Sequence, residues 1–236
     1  TLPTIGGAVY GVLVCIILFL LSKLFLRYEK IELTVVHLLP DPTSFIRLVI
    51  GLIIGAIITG LMLFTLFSLT DIGIERIHQQ AFFPFLIGVV AILPLALMEE
   101  ILFRGYPFFR LSQIINIRLV IVIMASFFAV YHYNDSTTLA SVFIGPGIWG
   151  ITFGVVAYLS KSIAVPLGIH ISANLLQALF GMKAHYASMW ELTRVASSST
   201  SAIDPEALGL SMQFILLIST IIVFEMVMRF KGRNVS

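Results

Sequence analysis

Charged residues and cysteine are both scarce in this sequence. Of its 236 residues, 11% are charged and 59% are hydrophobic, and the mean hydropathy is +1.06. Such a composition excludes a water-soluble surface and predicts a polytopic membrane protein. The net charge is only +2 and the basic residues stand singly between apolar runs, which argues against a nucleic-acid partner. The lone cysteine, Cys15, excludes an internal disulfide or a thiolate metal cluster, and we interpret it as structural.

Several protease signatures are also missing. The sequence contains no Gly-x-Ser-x-Gly nucleophile elbow and no His-Glu-x-x-His zinc element. Aspartyl chemistry within a membrane requires paired aspartates on spanning helices. The four aspartates instead fall in connections between apolar runs: Asp41, Asp71, Asp135 and Asp204. These absences argue against three familiar hydrolytic mechanisms.

Seven apolar runs are candidates to cross about 30 Å of hydrocarbon. They are residues 5–26, 45–69, 82 to about 109, 119–133, 139–159, 163–180 and 208–230. We therefore expect an all-α transmembrane bundle with about seven spans. No second domain is evident, so we expect residues 1–236 to form a single integral membrane domain, with a motif-bearing core at about 82–181. The first run has no basic segment before it, and we interpret it as a span, not as a cleaved signal.

The basic residues are distributed unequally between the two sides of the predicted spans. One side holds ten of them: Lys23, Arg27, Lys30, Arg47, Arg110, Arg118, Lys161, Arg229, Lys231 and Arg233. The other side holds Arg76, Lys183 and Arg194. By the positive-inside rule the richer side, called the basic side below, faces the cytoplasm. We expect a multi-pass protein of the cell membrane with a cytoplasmic C-terminus.

Three charged residues lie inside the third apolar run: Glu99, Glu100 and Arg104. A charge at the centre of a membrane helix costs roughly 2.5 to 3.5 kcal/mol on the insertion scale, so this cluster requires a reason. Glu100 and Arg104 are four residues apart and share one helix face, where pairing lowers their burial cost. Glu99 lies about 100° around the helix and is left free for chemistry.

Three further polar residues occur in apolar surroundings on other predicted helices: His132, His170 and Asn174. If the chain turns near residues 115 and 116, Glu99 and His132 lie at matching depth on antiparallel helices, each about 25 Å from the turn. His170 reaches a comparable depth, and Asn174 shares its helix face. A carboxylate and an imidazole can take a proton from water, and an imidazole and an amide can stabilise an oxyanion. The predicted cluster is a hydrolytic centre.

The spacing of these residues resembles that of a known family, the intramembrane CAAX-processing and bacteriocin-processing endopeptidases, called the CPBP or Abi family. The family has three motifs, Glu-Glu-x-x-x-Arg, Phe-x-x-x-His and His-x-x-x-Asn. They occur here in order as Glu99-Glu100-x-x-x-Arg104, Phe128-x-x-x-His132 and His170-x-x-x-Asn174. The motifs span residues 99–174, and the first two runs and the last match the family only in being apolar.

The resemblance implies proteolysis within or at the membrane, as in type II CAAX prenyl endopeptidases. In that interpretation Glu99 and His132 activate water, His170 and Asn174 stabilise the tetrahedral intermediate, and Glu100 with Arg104 supports them. The implied partners are the lipid bilayer and a membrane-associated protein or peptide substrate, either prenylated or not. The sequence does not indicate the oligomeric state.

A metal-dependent version of the same site is the alternative. Glu99, His132 and His170 could supply a zinc-like ligand set with an open position. The missing His-Glu-x-x-His element, and the greater use of Asn174 as an oxyanion donor, favour a site that requires no cofactor.

Two other classes of function compete with the endopeptidase. Buried Glu, Arg and His also form ion sites or proton relays in transporters. A transporter would favour repeat symmetry and paired broken helices, and the sequence shows no internal repeat. A non-catalytic role, such as bacteriocin immunity or scaffolding with an idle site, is the third possibility.

Overall fold

The computed structural model describes residues 2–36, 38–77, 82–183, 186–194 and 203–233. It is 78% helical, which confirms the all-α class. The α-helices are α1 Leu2–Tyr28, α2 Ser44–Leu69, α3 Phe82–Arg104, α4 Tyr106–Ile114, α5 Ile117–Tyr131, α6 Leu139–Val142, α7 Ile148–Ser160, α8 Ala164–Leu179 and α9 Pro205–Arg233. A 3-10 turn follows α1 at Leu33–Val36, and a π-helical turn joins α6 to α7 at Phe143–Gly147.

Each of the seven predicted runs is helical, but they differ in length. Five helical segments are long and apolar enough to cross a membrane: Ile5–Tyr28, Ser44–Leu69, Phe82–Ile114, Leu139–Ser160 and Pro205–Lys231. The other two, α5 and α8, are apolar helices of 15 and 16 residues. At 1.5 Å per residue they extend only about 22 to 24 Å, so they lie between the longer helices without the length of a full span.

The hairpin between the third and fourth runs turns where the sequence predicts. α4 ends at Ile114 and α5 begins at Ile117. Asn116 caps α5, because its side-chain oxygen accepts the backbone N–H of Arg118 at 2.9 Å. The third run is not one continuous helix, since it breaks at Gly105 between α3 and α4. Glu99 and His132 therefore lie on the two arms of one antiparallel hairpin.

The fifth predicted run is also interrupted. Pro146 lies within the π-helical turn between α6 and α7, where a proline removes one backbone hydrogen bond. The sequence Gly145-Pro146-Gly147 is compatible with either a kink or a tight packing site. The π-helical turn gives the break a defined geometry, and Gly145 and Pro146 line the cavity described below.

Small residues allow α2 and α8 to pack closely. A Cβ atom on Gly51 would collide with the carbonyl oxygen of Val165, and one on Gly168 would collide with the carbonyl oxygen of Leu48. Such close approach of backbones is typical of packing between membrane helices. The pair fixes α8, which carries two of the predicted site residues, against a long spanning helix.

The largest core cluster is formed by side chains of α3, α5, α7, α8 and α9. Its most buried members include Val120, Phe128, Phe153 and Ile169. Large apolar side chains on the outer faces of α1, α2 and α9 are exposed, for example Leu24, Ile57 and Ile215. Exposed apolar surface of this extent is suited to contact with lipid, and the chain is an integral membrane protein.

Two connections that the sequence analysis left without structure form a small antiparallel sheet. Strand β1, Ile72–Arg76, pairs with β2, Trp190–Arg194, so that Ile72 faces Arg194. The partners are more than a hundred residues apart in sequence, so neither local pattern predicts the pairing. The backbone N–H of Met189 donates to the carbonyl of Leu179, which holds the segment before β2 against the end of α8.

Candidate active site

The last two turns of α3 carry the charged cluster. The Nη1 of Arg104 lies 3.4 Å from the Oε1 of Glu100, and both side chains are almost completely buried. This is the i,i+4 pair that the spacing predicts. Buried charges of opposite sign require such pairing, because each one alone carries a large desolvation cost.

Arg104 is held on several sides. Its Nη2 donates to the carbonyl oxygen of Gly150 on α7 at 3.0 Å. The guanidinium also lies 4.5 Å from the centroid of the Phe128 ring and 5.2 Å from that of Phe153. Aromatic faces attract a cation, and the attraction grows when water is excluded. Arg104 thus connects α3 to both α5 and α7.

Glu100 has a second partner that the spacing does not predict. The Nδ1 of His170 lies 2.9 Å from the same Oε1 that faces Arg104. We predicted Glu100 as the partner of Arg104, and the structure adds an orienting contact to a histidine on α8. A carboxylate at Nδ1 fixes the orientation of the ring.

Glu99 faces both histidines. Its Oε2 lies 3.8 Å from the Nε2 of His132 and 3.6 Å from the Nε2 of His170. These separations exceed a direct hydrogen bond but suit a bridging water. Among the described residues the same Oε2 is buried and accepts no hydrogen bond. Glu99 thus lies near His132, as the sequence predicts, and it also lies near His170.

His132 is oriented by its own helix. It is the first residue beyond α5, and its Nδ1 lies 2.8 Å from the carbonyl oxygen of Phe128. In the neutral ring this contact assigns the proton to Nδ1 and leaves the lone pair of Nε2 directed toward Glu99. The four-residue spacing of the Phe-x-x-x-His motif therefore gives His132 two contacts with Phe128. The carbonyl oxygen accepts the Nδ1–H, and the ring centroids lie 4.6 Å apart.

A cavity of about 210 Å³ opens beside the histidines. His132, His170 and Asn174 line it, so the amide shares the space with both imidazoles. Glu99 is not part of the lining, but its Oε2 faces the Nε2 atoms of both lining histidines, and its side chain is 13% exposed. The cavity can accept a small polar group next to the imidazoles, with the carboxylate within reach of the same space.

Three hydrophilic lining residues were absent from the predicted site: Gln177, Lys183 and Gln213. Gln177 could have been found, because it lies seven residues after His170 and three after Asn174 on the same helix face. Lys183 follows α8, and burial lowers the pKa of its ammonium while the charge of Glu99 opposes that shift. Gln213 is an isolated polar residue of α9, and no sequence pattern connects it to the site.

The described residues do not form a metal-binding set. No group of three His, Cys, Asp or Glu side chains within those ranges is arranged to hold a metal ion. The alternative ligand set of Glu99, His132 and His170 stays a prediction. Each imidazole has its partner at Nδ1, the carbonyl of Phe128 or the carboxylate of Glu100, and its Nε2 faces Glu99.

The fold and the site together define an integral membrane protein with a buried Glu–His centre. A family model described as type II CAAX prenyl endopeptidase Rce1-like matches residues 80–176. That segment contains all three motifs, so the resemblance to the CPBP family is confirmed. No curated protein and no solved structure matches the chain. The match supports a CAAX-type intramembrane protease in general.

Proposed function

We propose that the chain is an intramembrane endopeptidase that hydrolyses a peptide bond by glutamate-activated water. The observation that supports this most strongly is the single carboxylate oxygen of Glu99 facing the Nε2 atoms of His132 and His170 at 3.8 and 3.6 Å. A water molecule bound by these atoms could donate hydrogen bonds to two acceptors, the carboxylate of Glu99 and the Nε2 of His132. The adjoining cavity has room for a peptide carbonyl.

In the proposed first step the water oxygen attacks the carbonyl carbon of the substrate. Glu99 takes one water proton while the Nε2 lone pair of His132 orients the other. The carbonyl π electrons move to oxygen and form an oxyanion. Collapse of this tetrahedral intermediate breaks the C–N bond, and protonated Glu99 returns its proton to the leaving amine. The carboxylate is then restored for the next turnover.

His170 and Asn174 are proposed to stabilise the oxyanion. With Nδ1–H donating to Glu100 at 2.9 Å, the protonated imidazole of His170 has its Nε2–H free to donate to the intermediate. The Asn174 side-chain amide lines the same cavity and is the second donor. Preorganised donors of this kind contribute on the order of 3 to 4 kcal/mol each in other enzymes.

The substrate we favour is the prenylated C-terminal segment of a membrane-associated protein. The matching family model is described as a prenyl endopeptidase, and the exposed apolar helices around the site are suited to contact with lipid. An unprenylated membrane peptide is the comparison substrate. We propose that the bilayer delivers either one.

The test is cleavage by the purified chain reconstituted in liposomes. Prenylated and unprenylated peptides are offered to the wild type and to Glu99→Gln, His132→Ala and His170→Ala. We expect each variant to abolish cleavage, whereas Glu206→Gln, an exposed carboxylate on α9, should not. Cleavage that survives in all three variants would refute the proposal. Ion flux or immunity that persists without cleavage would favour a transporter or a non-catalytic role.

Cofactor dependence is tested in the same assay. We propose that no metal is required, so a strong chelator should leave the initial rate unchanged. Loss of cleavage on chelation, with recovery on adding back stoichiometric zinc, would contradict this part of the proposal while leaving the endopeptidase assignment intact.

A further inference from the structure

A second cavity, of about 310 Å³, lies on the basic side of the molecule near the ends of α4, α7 and α9. Three cations and three hydroxyl groups line it: Arg104, Lys161, Lys231, Ser112, Tyr158 and Ser162. No carboxylate of the described residues belongs to the lining. The cavity is thus a concentration of positive charge separate from the space beside the histidines.

Two of the cations have no ionic partner in the described part of the chain. Lys161 and Lys231 are exposed, and neither forms an ion pair there. Two lysines without acidic partners, opening into one concave space, attract an anion.

The third cation supplies a buried donor. The Nη1 and Nη2 of Arg104 contact Glu100 and Gly150, but its Nε is buried without a hydrogen-bond partner among the described residues. Buried donors are nearly always satisfied in native proteins, so the unpaired Nε–H leaves the guanidinium with a hydrogen bond that no described residue accepts. A guanidinium with an available N–H is suited to an anionic oxygen.

The location of this cavity at the basic end of the helices indicates which anion it binds. Lys161 directly follows α7 and Lys231 lies in the last turn of α9, at the membrane end that holds most of the basic residues. Phe108 and Phe109 also line the cavity, so apolar surface adjoins the charged groups. A phosphate group attached to acyl chains matches both features, because basic pockets between membrane helices bind lipid head groups.

We propose that this cavity binds the phosphate-bearing head group of an anionic phospholipid. The two lysines meet the phosphate, the hydroxyl groups of Tyr158 and Ser162 donate hydrogen bonds, and the acyl chains extend into the bilayer. The Ser112 hydroxyl already donates to the carbonyl of Phe109 at 2.7 Å. Because the guanidinium of Arg104 also holds Glu100, the lipid site and the Glu100–His170 pair share one cation. This site goes beyond the proposed function and does not depend on peptide cleavage.

The test compares lipids retained by the purified full-length chain. Protein equilibrated with equal amounts of phosphatidylglycerol and phosphatidylcholine is analysed by native mass spectrometry. We expect the wild type to retain phosphatidylglycerol at least about 25-fold in excess. The double variant Lys161→Gln, Lys231→Gln should lower that ratio about 25-fold relative to the wild type, since each lysine near an anionic lipid contributes about fivefold.

The matched control is Lys30→Gln, Lys23→Gln. Lys30 resembles Lys161 in being an exposed lysine with positive φ just beyond a helix, and Lys23 lies within a helix as Lys231 does, yet neither lines the cavity. The control should keep the wild-type ratio. An equal loss in both double variants, or no preference in the wild type, would overturn the proposal. Both pairs are checked for an unchanged helical spectrum.

Free phosphate is distinguished in a separate arm. Wild type held only in phosphatidylcholine is given millimolar inorganic phosphate. We expect no change in thermal stability, whereas phosphatidylglycerol should raise it. If phosphate alone stabilises the wild type as much as the lipid does, and the Lys161→Gln, Lys231→Gln variant does not respond, the site belongs to a soluble anion and the lipid assignment is wrong.

Discussion

Glu100 is the residue on which most of the site's internal contacts converge. One of its oxygens faces both Arg104 and the Nδ1 of His170, and its side chain has no solvent exposure. A carboxylate in this position can compensate a positive charge on His170 during the reaction while Arg104 compensates the carboxylate. We infer that Glu100 is a positioning residue, whereas Glu99 is the catalytic base.

Replacing Glu100 by Gln tests this role. Gln keeps the shape of the side chain but removes the charge, so protonated His170 loses its stabilisation. We expect kcat to fall about 10²- to 10⁴-fold with little change in KM.

The control for that variant is Arg104→Lys. Lysine keeps a positive charge near Glu100 but loses the contacts with Gly150 and the aromatic rings. We expect lower thermal stability with a smaller loss of kcat. If Glu100→Gln loses as much thermal stability as Arg104→Lys and no more kcat, Glu100 has a merely structural role.

The buried ammonium of Lys183 should make the free energy of unfolding depend on pH. Burial lowers its pKa below the ordinary value of 10.5, so the folded chain releases this proton before the unfolded chain does. The unfolded state binds more protons in that interval, and the free energy of unfolding therefore rises as pH increases toward 10.5. Lys183→Met should remove this slope, as measured by thermal unfolding from pH 8 to 10.5. Lys30→Met, at an exposed position, should retain it; identical slopes in all three proteins would contradict the prediction.

For individual residues, the sequence predicts which side chains belong to the site better than it predicts their contacts. Helical spacing alone pairs Glu100 with Arg104, and the depth argument brings Glu99 toward His132, as the distances show. The contact of Glu100 with His170 depends on the rotation of α8, which no local spacing specifies. Lys183 was missed because its place beside the cavity depends on how the chain leaves α8.

Among the helices, the contact of α2 with α8 governs where His170 and Asn174 lie. Gly51 on α2 and Gly168 on α8 leave no room for a Cβ against the facing backbone. The pairing of Gly51 with Gly168 was not predicted from the sequence. Glycines are common in membrane helices, and only the packing shows which of them lies in an interface.

Gly51→Ala tests the packing. The added methyl group must displace the backbone of α8, and overpacking of this kind costs about 1 to 3 kcal/mol. We expect a lower unfolding temperature and reduced activity. Gly60→Ala on the same helix is the matched control, since nothing lies within 4 Å of its Cβ position, and it should be neutral or slightly stabilising. Equal effects of the two substitutions would contradict the proposed packing role.

The boundaries of helices were predicted less completely than their existence. Apolar runs identify all seven helical segments, including the short fourth one, but they do not predict the break at Gly105 between α3 and α4. The pairing of β1 with β2 lies beyond any local pattern, because it joins chain segments on either side of the site-bearing helices.

For the whole molecule, the asymmetry of basic residues gives a testable orientation. We propose that the C-terminus faces the cytoplasm and that the protein resides in the cell membrane. A C-terminal fluorescent reporter that folds only in the cytoplasm should therefore be bright, and an alkaline phosphatase fusion at the same position should be inactive. The reverse pattern would contradict the orientation, and it would also place the basic cavity on the outer leaflet.

The central claim is that Glu99 delivers water to a peptide bond. Its most direct test is a single-turnover reaction of the reconstituted chain with a peptide substrate in ¹⁸O-labelled water, followed by mass spectrometry of the products. If Glu99 activates water, the new carboxyl group of the wild-type product carries one ¹⁸O atom, and Glu99→Gln gives no product. Cleavage by Glu99→Gln at the wild-type rate, or a wild-type product that lacks the label, would contradict it.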